Sequence, residues 1–154
     1  MSNKLILMCG VPGGGKSTYI KNHKAETDVV VSRDEIRFSM LKEEDDYFAN
    51  ENKVFAAFID NIAFHLRHGQ TVWADATHLT VKARFKVLNQ IRGLADEIEL
   101  IWIKVPIELA IGRNDQREGR ARVPESAIEN MYHTLQQPSY KEGFDKITVI
   151  EEEG

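Results

Sequence analysis

A single cysteine, Cys9, stands in the whole chain, which excludes both an internal disulfide and a cysteine-based zinc cluster. It lies in the apolar run Leu5-Ile6-Leu7-Met8-Cys9, where a core thiol is expected rather than a reagent. No apolar run approaches the length of a membrane span. With a strand-like segment close to the N-terminus, no signal peptide is expected, and a cytoplasmic location is. Strong charge of one sign is also missing. With a formal net charge of −4 the molecule is no polybasic nucleic-acid glue, so any polyanion site has to be a local patch. Repeats and interdomain linkers are absent, and 154 residues that are 42% hydrophobic and 29% charged can bury a real core. One domain over residues 1–154 is expected.

What is present centres on Gly10-Val11-Pro12-Gly13-Gly14-Gly15-Lys16-Ser17-Thr18. The stretch follows the apolar run and opens the helical-looking Thr18-Tyr19-Ile20-Lys21. Strand, glycine loop and helix form the context in which a Walker A match implies a nucleoside-triphosphate site. Gly13, Gly14 and Gly15 let the backbone curl so that successive N–H groups point at a polyphosphate. The positive end of the helix beginning near Lys16 adds to the same oxygens. Lys16 is expected on the β- and γ-phosphates, and the Ser17 hydroxyl on Mg²⁺.

Along the chain, strands are predicted over 4–9, 29–31, 71–74, 98–105 and 147–150. Between them, helices are predicted from the P-loop to about residue 23 and over a short segment containing Phe38, Met40 and Leu41 that Ser32 or Asp34 caps. A long helix over 47–68 follows, with Phe48, Phe55, Phe58, Ile59, Ile62 and Leu66 at helical spacing and Gly69 as its stop. Further helices are expected over 81–94 behind Thr80, in a segment opened by Pro106 and carrying Arg113 and Arg117, and from Pro124 to about 136. The acidic run Glu43-Glu44-Asp45-Asp46 reads as a solvated connection. This alternation predicts an α/β fold of the P-loop NTPase type, a three-layer arrangement with a parallel sheet of four or five strands and helices on both faces.

In such sheets the ligand lies beyond the carboxyl ends of the strands. Asp75 ends an apolar run as a Walker B acid does, beside Mg²⁺ or its water shell, unless it merely caps the next turn. Asp34 is placed to take a proton from an acceptor hydroxyl, with a plain helix cap as the alternative. Arg113, Arg117, Arg120 and Arg122 crowd the segment after the fourth strand. On a helix Arg113 and Arg117 share a face, and guanidinium forks match phosphate oxygens. An arginine-bearing lid at about 106–124, closing over the P-loop to exclude water, is therefore expected, with a solvated basic helix as the alternative. Lys82, Arg84, Lys86 and Arg92 form a second basic segment with no acid between Val81 and Gly93, either a nucleic-acid face or an ordinary solvent face. His78, just past Asp75, reads as a surface histidine or a substrate contact.

Together these positions resemble the kinase domain of the phage polynucleotide 5′-hydroxyl kinase family. The likeness rests on the P-loop, on Ser32-Arg33-Asp34-Glu35-Ile36-Arg37, and on Ala74-Asp75-Ala76-Thr77-His78-Leu79-Thr80. It continues through Val105-Pro106-Ile107-Glu108-Leu109 and Arg113-Asn114-Asp115-Gln116-Arg117 to Val123-Pro124 and Met131-Tyr132. The resemblance implies ATP as donor on Gly13 to Thr18, with Ser17 and Asp75 at the metal. It implies Asp34 as general base, Arg37 and Thr77 on the acceptor's phosphate, Asp75 near metal and substrate, Arg117 as the lid arginine on the donor's phosphates and Arg113 as its helical neighbour. The acceptor is then single-stranded or end-exposed nucleic acid bearing a 5′-OH. The Asp-x-Asp-x-Thr motif of the larger family enzymes' phosphatase domain is absent, so 5′ phosphorylation without 3′ trimming is expected. Two other readings stay open: a small-molecule kinase (nucleoside, sugar or antibiotic acceptor) and a nucleotide-driven switch. A GTPase is disfavoured, because Asn52-Lys53 continues as Val54-Phe55 rather than into a guanine-reading motif.

Overall fold

A computed structural model describes residues 2–42, 45 and 47–152, with side chains from residue 50 onward in the long helix. Glu43, Glu44 and Asp46 of the acidic run, and the side chain of Phe48, lie outside the described residues. In chain order the elements are β1 (Lys4–Cys9), α1 (Lys16–His23), β2 (Val29–Ser32), α2 (Arg33–Met40), α3 (Tyr47–Arg67), β3 (Thr71–Asp75) and α4 (Val81–Ile91). They continue with β4 (Glu97–Lys104), α5 (Ile107–Asp115), α6 (Glu125–Thr134) and β5 (Lys146–Glu151).

The five strands form one parallel sheet in the order β2-β3-β1-β4-β5. The glycine loop therefore leaves the central strand. Because side chains alternate along a strand, β1 feeds two cores at once. Leu5, Leu7 and Cys9 join Phe58, Ile62 and Leu66 of α3 and Val87, Leu88 and Ile91 of α4. Ile6 and Met8 face the other way, onto Ile20 of α1, Ala110 of α5 and Ile128 of α6. The expected layers, with helices on both faces, are present. Among the described residues no helix is long and apolar enough to cross a membrane.

Several boundaries differ from expectation, each for a local reason. Ser32, not Asp34, caps α2: its hydroxyl accepts from the Glu35 N–H at 3.2 Å. Leu41 leaves the helix as its extended C-cap. Pro106 and Pro124 are each the residue before their helix rather than its first turn. The last turn expected of α4 is a 3₁₀ turn, Arg92–Leu94. The largest change is in α5, which stops at Asp115, so Arg117 lies beyond it and does not share a helical face with Arg113. Asn114 accounts for the stop. Buried, it donates from Nδ2 to the Val123 carbonyl (2.6 Å) and accepts the Val123 N–H (3.0 Å), so the chain between them doubles back as a loop closed at its base.

Candidate active site

Gly13 and Gly15 take φ of +80° and +97°, a region that side chains with a Cβ rarely occupy. A Cβ on Gly13 would also stand 2.4 Å from the Ala110 carbonyl oxygen, so the loop is seated directly on the α5 backbone. Lys16, at the start of α1, is buried and donates from Nζ to the Gly10 and Val11 carbonyls, both at 2.9 Å. Burial pulls its pKa below the ordinary lysine value. Asp75 and Asp34 act the other way on that ammonium, and Arg117 acts with the burial.

Pairing of Leu7 with Ala74 brings the end of β3 beside the P-loop. There Ser17 Oγ donates to Asp75 Oδ2 at 2.7 Å. The loop that follows is fastened to β1 and to the residue just after it, His78 Nδ1 donating to the Met8 carbonyl (2.6 Å) and the Gly10 N–H to the Thr77 carbonyl (3.0 Å). A carbonyl only accepts, so the proton is on Nδ1 and His78 Nε2 is a bare acceptor; it is buried without a partner. Only 4% exposed, with a left-handed φ of +44° and a pKa lowered to about 4 by burial, His78 is a neutral interior residue and not a surface histidine.

With the cap role taken by Ser32, the Asp34 side chain is 66% exposed in the first turn of α2 and pairs with Arg37 Nη1. Arg37 is otherwise gripped by Glu51 of α3 through Nε–Oε1 (2.7 Å) and Nη2–Oε2 (3.0 Å). Arg33 Nη2 also donates to Glu51 Oε2, at 2.9 Å. Burial would raise the Glu51 pKa, but the hydrogen bonds and charges of Arg37 and Arg33 together outweigh it and hold the carboxylate below its usual range. Sequence reasoning missed Glu51. The available signal was Arg33 and Arg37 one turn apart on α2, a like-charged pair that needs a shared acid.

The four arginines of the segment expected to form a lid separate. Arg113 is engaged from outside the P-loop, on the Gly14 carbonyl (3.2 Å) and Glu152 Oε2 (2.5 Å). Arg117 donates to the Ala121 carbonyl at 3.3 Å within its own loop. Arg120 reaches across to the end of α2, donating to the carbonyls of Leu41 (2.5 Å) and Phe38 (3.3 Å), with its guanidinium 4.9 Å from the Phe38 ring centroid. Arg122 pairs with Asp115 at 3.5 Å.

The second basic segment is not one face, solvent or otherwise. Arg84 is 0% exposed, with Nε and Nη2 on Glu142 (2.7 and 3.2 Å), Nη1 on the His78 carbonyl (2.8 Å) and Nη2 also on the Gln136 carbonyl (3.0 Å). It occupies the stripe of Val87, Leu88 and Ile91, three, four and seven residues before them, which is where a buried residue is expected. Cys9 is interior as expected, its thiol pKa pushed up to about 11 by burial.

An oxygen pair made of a hydroxyl and one carboxylate, at the start of a helix, suits a hard cation that keeps waters and phosphate oxygens as its other ligands. Among the described residues no group of three His, Cys, Asp or Glu could hold an ion instead. The residues present fit Mg²⁺ with a polyphosphate.

A family model described as an AAA domain matches residues 5–138. A chain of the Pnkp1/Rnl/Hen1 RNA repair complex matches with a TM-score of 0.77 at 26% sequence identity, over 94% of this chain and 47% of that one. The present chain thus spans about half the length of that relative. A gluconokinase from Sinorhizobium meliloti 1021 matches at a TM-score of 0.65 and 17% identity, over 96% and 82% of the two chains. The APS kinase of Mycobacterium tuberculosis, in complex with AMPPNP and APS, does so at 0.65 and 14%, over 96% and 88%. These last two likenesses show the fold alone.

Proposed function

We propose, from the premise that the chain belongs to this AAA domain family and has a P-loop kinase-like fold, that it is an ATP- and Mg²⁺-dependent kinase acting on the 5′-hydroxyl end of DNA or RNA. The observation that carries this is Asp34. Relieved of capping α2, its carboxylate is exposed and, with Asp75, favours the charged form of the Lys16 ammonium, which supports a place near the phosphates. The likeness to the RNA repair chain favours nucleic acid as acceptor over a sugar.

In this reading Gly13 to Thr18 hold the triphosphate, and Lys16 exchanges its two carbonyl partners for oxygens of the β- and γ-phosphates. Ser17 and Asp75 hold Mg²⁺, which when bound neutralises charge on the phosphate oxygens. Asp34 orients the 5′-hydroxyl and takes its proton as its oxygen bonds to the γ-phosphorus and the bond to the β–γ bridging oxygen breaks, ADP being the leaving group. Arg37, aimed by Glu51, and Thr77 hold the acceptor phosphate 3′ to that hydroxyl, and Arg117 swings in from the loop onto the transferring phosphoryl group. Arg113 acts on the donor side as a brace of the P-loop through the Gly14 carbonyl.

Label transfer from γ-labelled ATP tests the reading, with a 5′-OH oligonucleotide set against nucleosides and sugars. Oligonucleotide labelling is expected; labelling of a nucleoside or sugar alone retires it. Asp34→Ala and Arg117→Ala should each lose a few hundredfold in turnover, roughly 3–4 kcal/mol of transition-state stabilisation, with ATP still bound. Arg37→Ala should instead act chiefly by raising KM for the oligonucleotide.

A further inference from the structure

With Arg84 turned into the core and Arg92 spent on the Glu142 carbonyl (2.7 Å), the outer face of α4 is left with an uncommon composition. Phe85 is 57% exposed and Val81, one turn before it, 42%. Lys82 and Lys86 lie one turn apart on the adjoining stripe. No acid occurs between Val81 and Gly93, and among the described residues Glu51 of α3 and Glu142 are ion-paired to buried or half-buried arginines. In a chain of net charge −4 this is a local cationic face with an aromatic ring standing out of it.

The face reaches toward the start of α2 through Phe55 of α3. Lys86 Nζ lies 4.4 Å from the centroid of the Phe55 ring, and the Arg33 guanidinium 5.4 Å from the same ring. Arg33 immediately precedes Asp34. A cation, ring, cation series thus leads from Arg33, at the start of the helix that carries the proposed general base, to the first two turns of α4.

We propose that this face is the track for the nucleic-acid strand beyond its 5′ end, with phosphates passing Lys86 and Lys82 and a base stacking on Phe85. The proposal rests on the reading that the acceptor is nucleic acid. Stacking on an exposed ring is tolerant of sequence, and lysines on a helix read phosphates but not bases, so the partner is single-stranded and read without sequence preference.

The test uses a labelled single-stranded oligonucleotide of about a dozen nucleotides, a length in the range of site sizes of single-strand-binding surfaces. Its binding to the whole chain is followed by fluorescence anisotropy without ATP, and KM and kcat are measured for it and for a nucleoside 3′-monophosphate. Phe85→Ala is expected to weaken oligonucleotide binding and raise its KM about tenfold, leaving kcat and the mononucleotide KM unchanged. Phe85→Trp should restore binding and Phe85→Leu should not. Lys82→Gln and Lys86→Gln should each flatten the salt dependence of log Kd by about one. Unchanged binding in Phe85→Ala, an equal rise in KM for the mononucleotide, a dimer of the chain that Phe85→Ala dissolves, or no binding of the oligonucleotide at all overturns the track. Oligonucleotide that binds through Phe85 but is never phosphorylated leaves the track standing and removes the kinase reading.

Discussion

His78 shows how far a single residue departs from what its neighbours in sequence suggest. Next to Thr77 and three residues past Asp75 it looks like a substrate contact, yet it is neutral, buried, and spends its one ring proton on the Met8 carbonyl. Nothing in the sequence marks this, because the bond spans seventy residues and the left-handed φ belongs to the loop. Its consequence is a pH dependence of stability. The folded-state pKa is about 4 and the ordinary value 6.5, so the unfolded chain takes up the proton first. Stability from this group is complete above the ordinary value, falls through the interval between the two, and levels off below about 4, a loss of roughly 3 kcal/mol. His78→Asn keeps an N–H donor near Nδ1 and tolerates the left-handed backbone. Urea titrations across that interval should show the variant losing less stability than the parent. Parallel curves would remove His78 from the titration.

At the scale of elements, the helices and strands themselves were legible, because apolar periodicity reports burial and burial here follows the two faces of one sheet. Their ends were less so. The stop of α5 is made by Asn114 reaching nine residues ahead, a tertiary bond without a local signal. The same bond makes the loop between residues 114 and 123 a closed unit, from which Arg120 crosses to the end of α2. The carbonyls it takes there are among those a helix leaves without intrahelical partners. Since α2 carries Asp34 and Arg37, the contact ties the proposed lid to the proposed acceptor helix. Arg120→Ala should therefore lower turnover about tenfold, one lost set of charge-assisted bonds, while unfolding free energy shifts by less than about 1 kcal/mol because water replaces the guanidinium at those carbonyls. Arg120→Lys, which keeps the charge without the fork, should recover only part of the rate. Steady-state kinetics beside denaturant titration separates the cases, and a rate unchanged in Arg120→Ala would break the link between the two segments.

For the molecule as a whole, the alternation of strand and helix was enough to anticipate a parallel sheet with helices on both faces, since parallel strands demand crossovers and helices supply them. The order of the strands was not in the sequence. Nor was the device that ties α4 to the chain crossing from α6 to β5, because an arginine reads as surface until its partners are known. Arg84 joins α4, the His78 loop and residues 136–142 through four hydrogen bonds in a site closed to water. A buried charge held this way stabilises little in itself, but leaving either partner alone is costly. Arg84→Met should cost about 3–5 kcal/mol, since Glu142 is left as an unpaired, nearly buried carboxylate. Adding Glu142→Leu to that variant should cost far less than Glu142→Leu does in the parent, with a coupling of up to about 3 kcal/mol. Additive losses in the double-mutant cycle would mean that Arg84 holds the fold through the His78 and Gln136 carbonyls alone. In that event Glu142 contributes through its bond to the Ser139 N–H at 2.9 Å, a local cap and not a link between the layers.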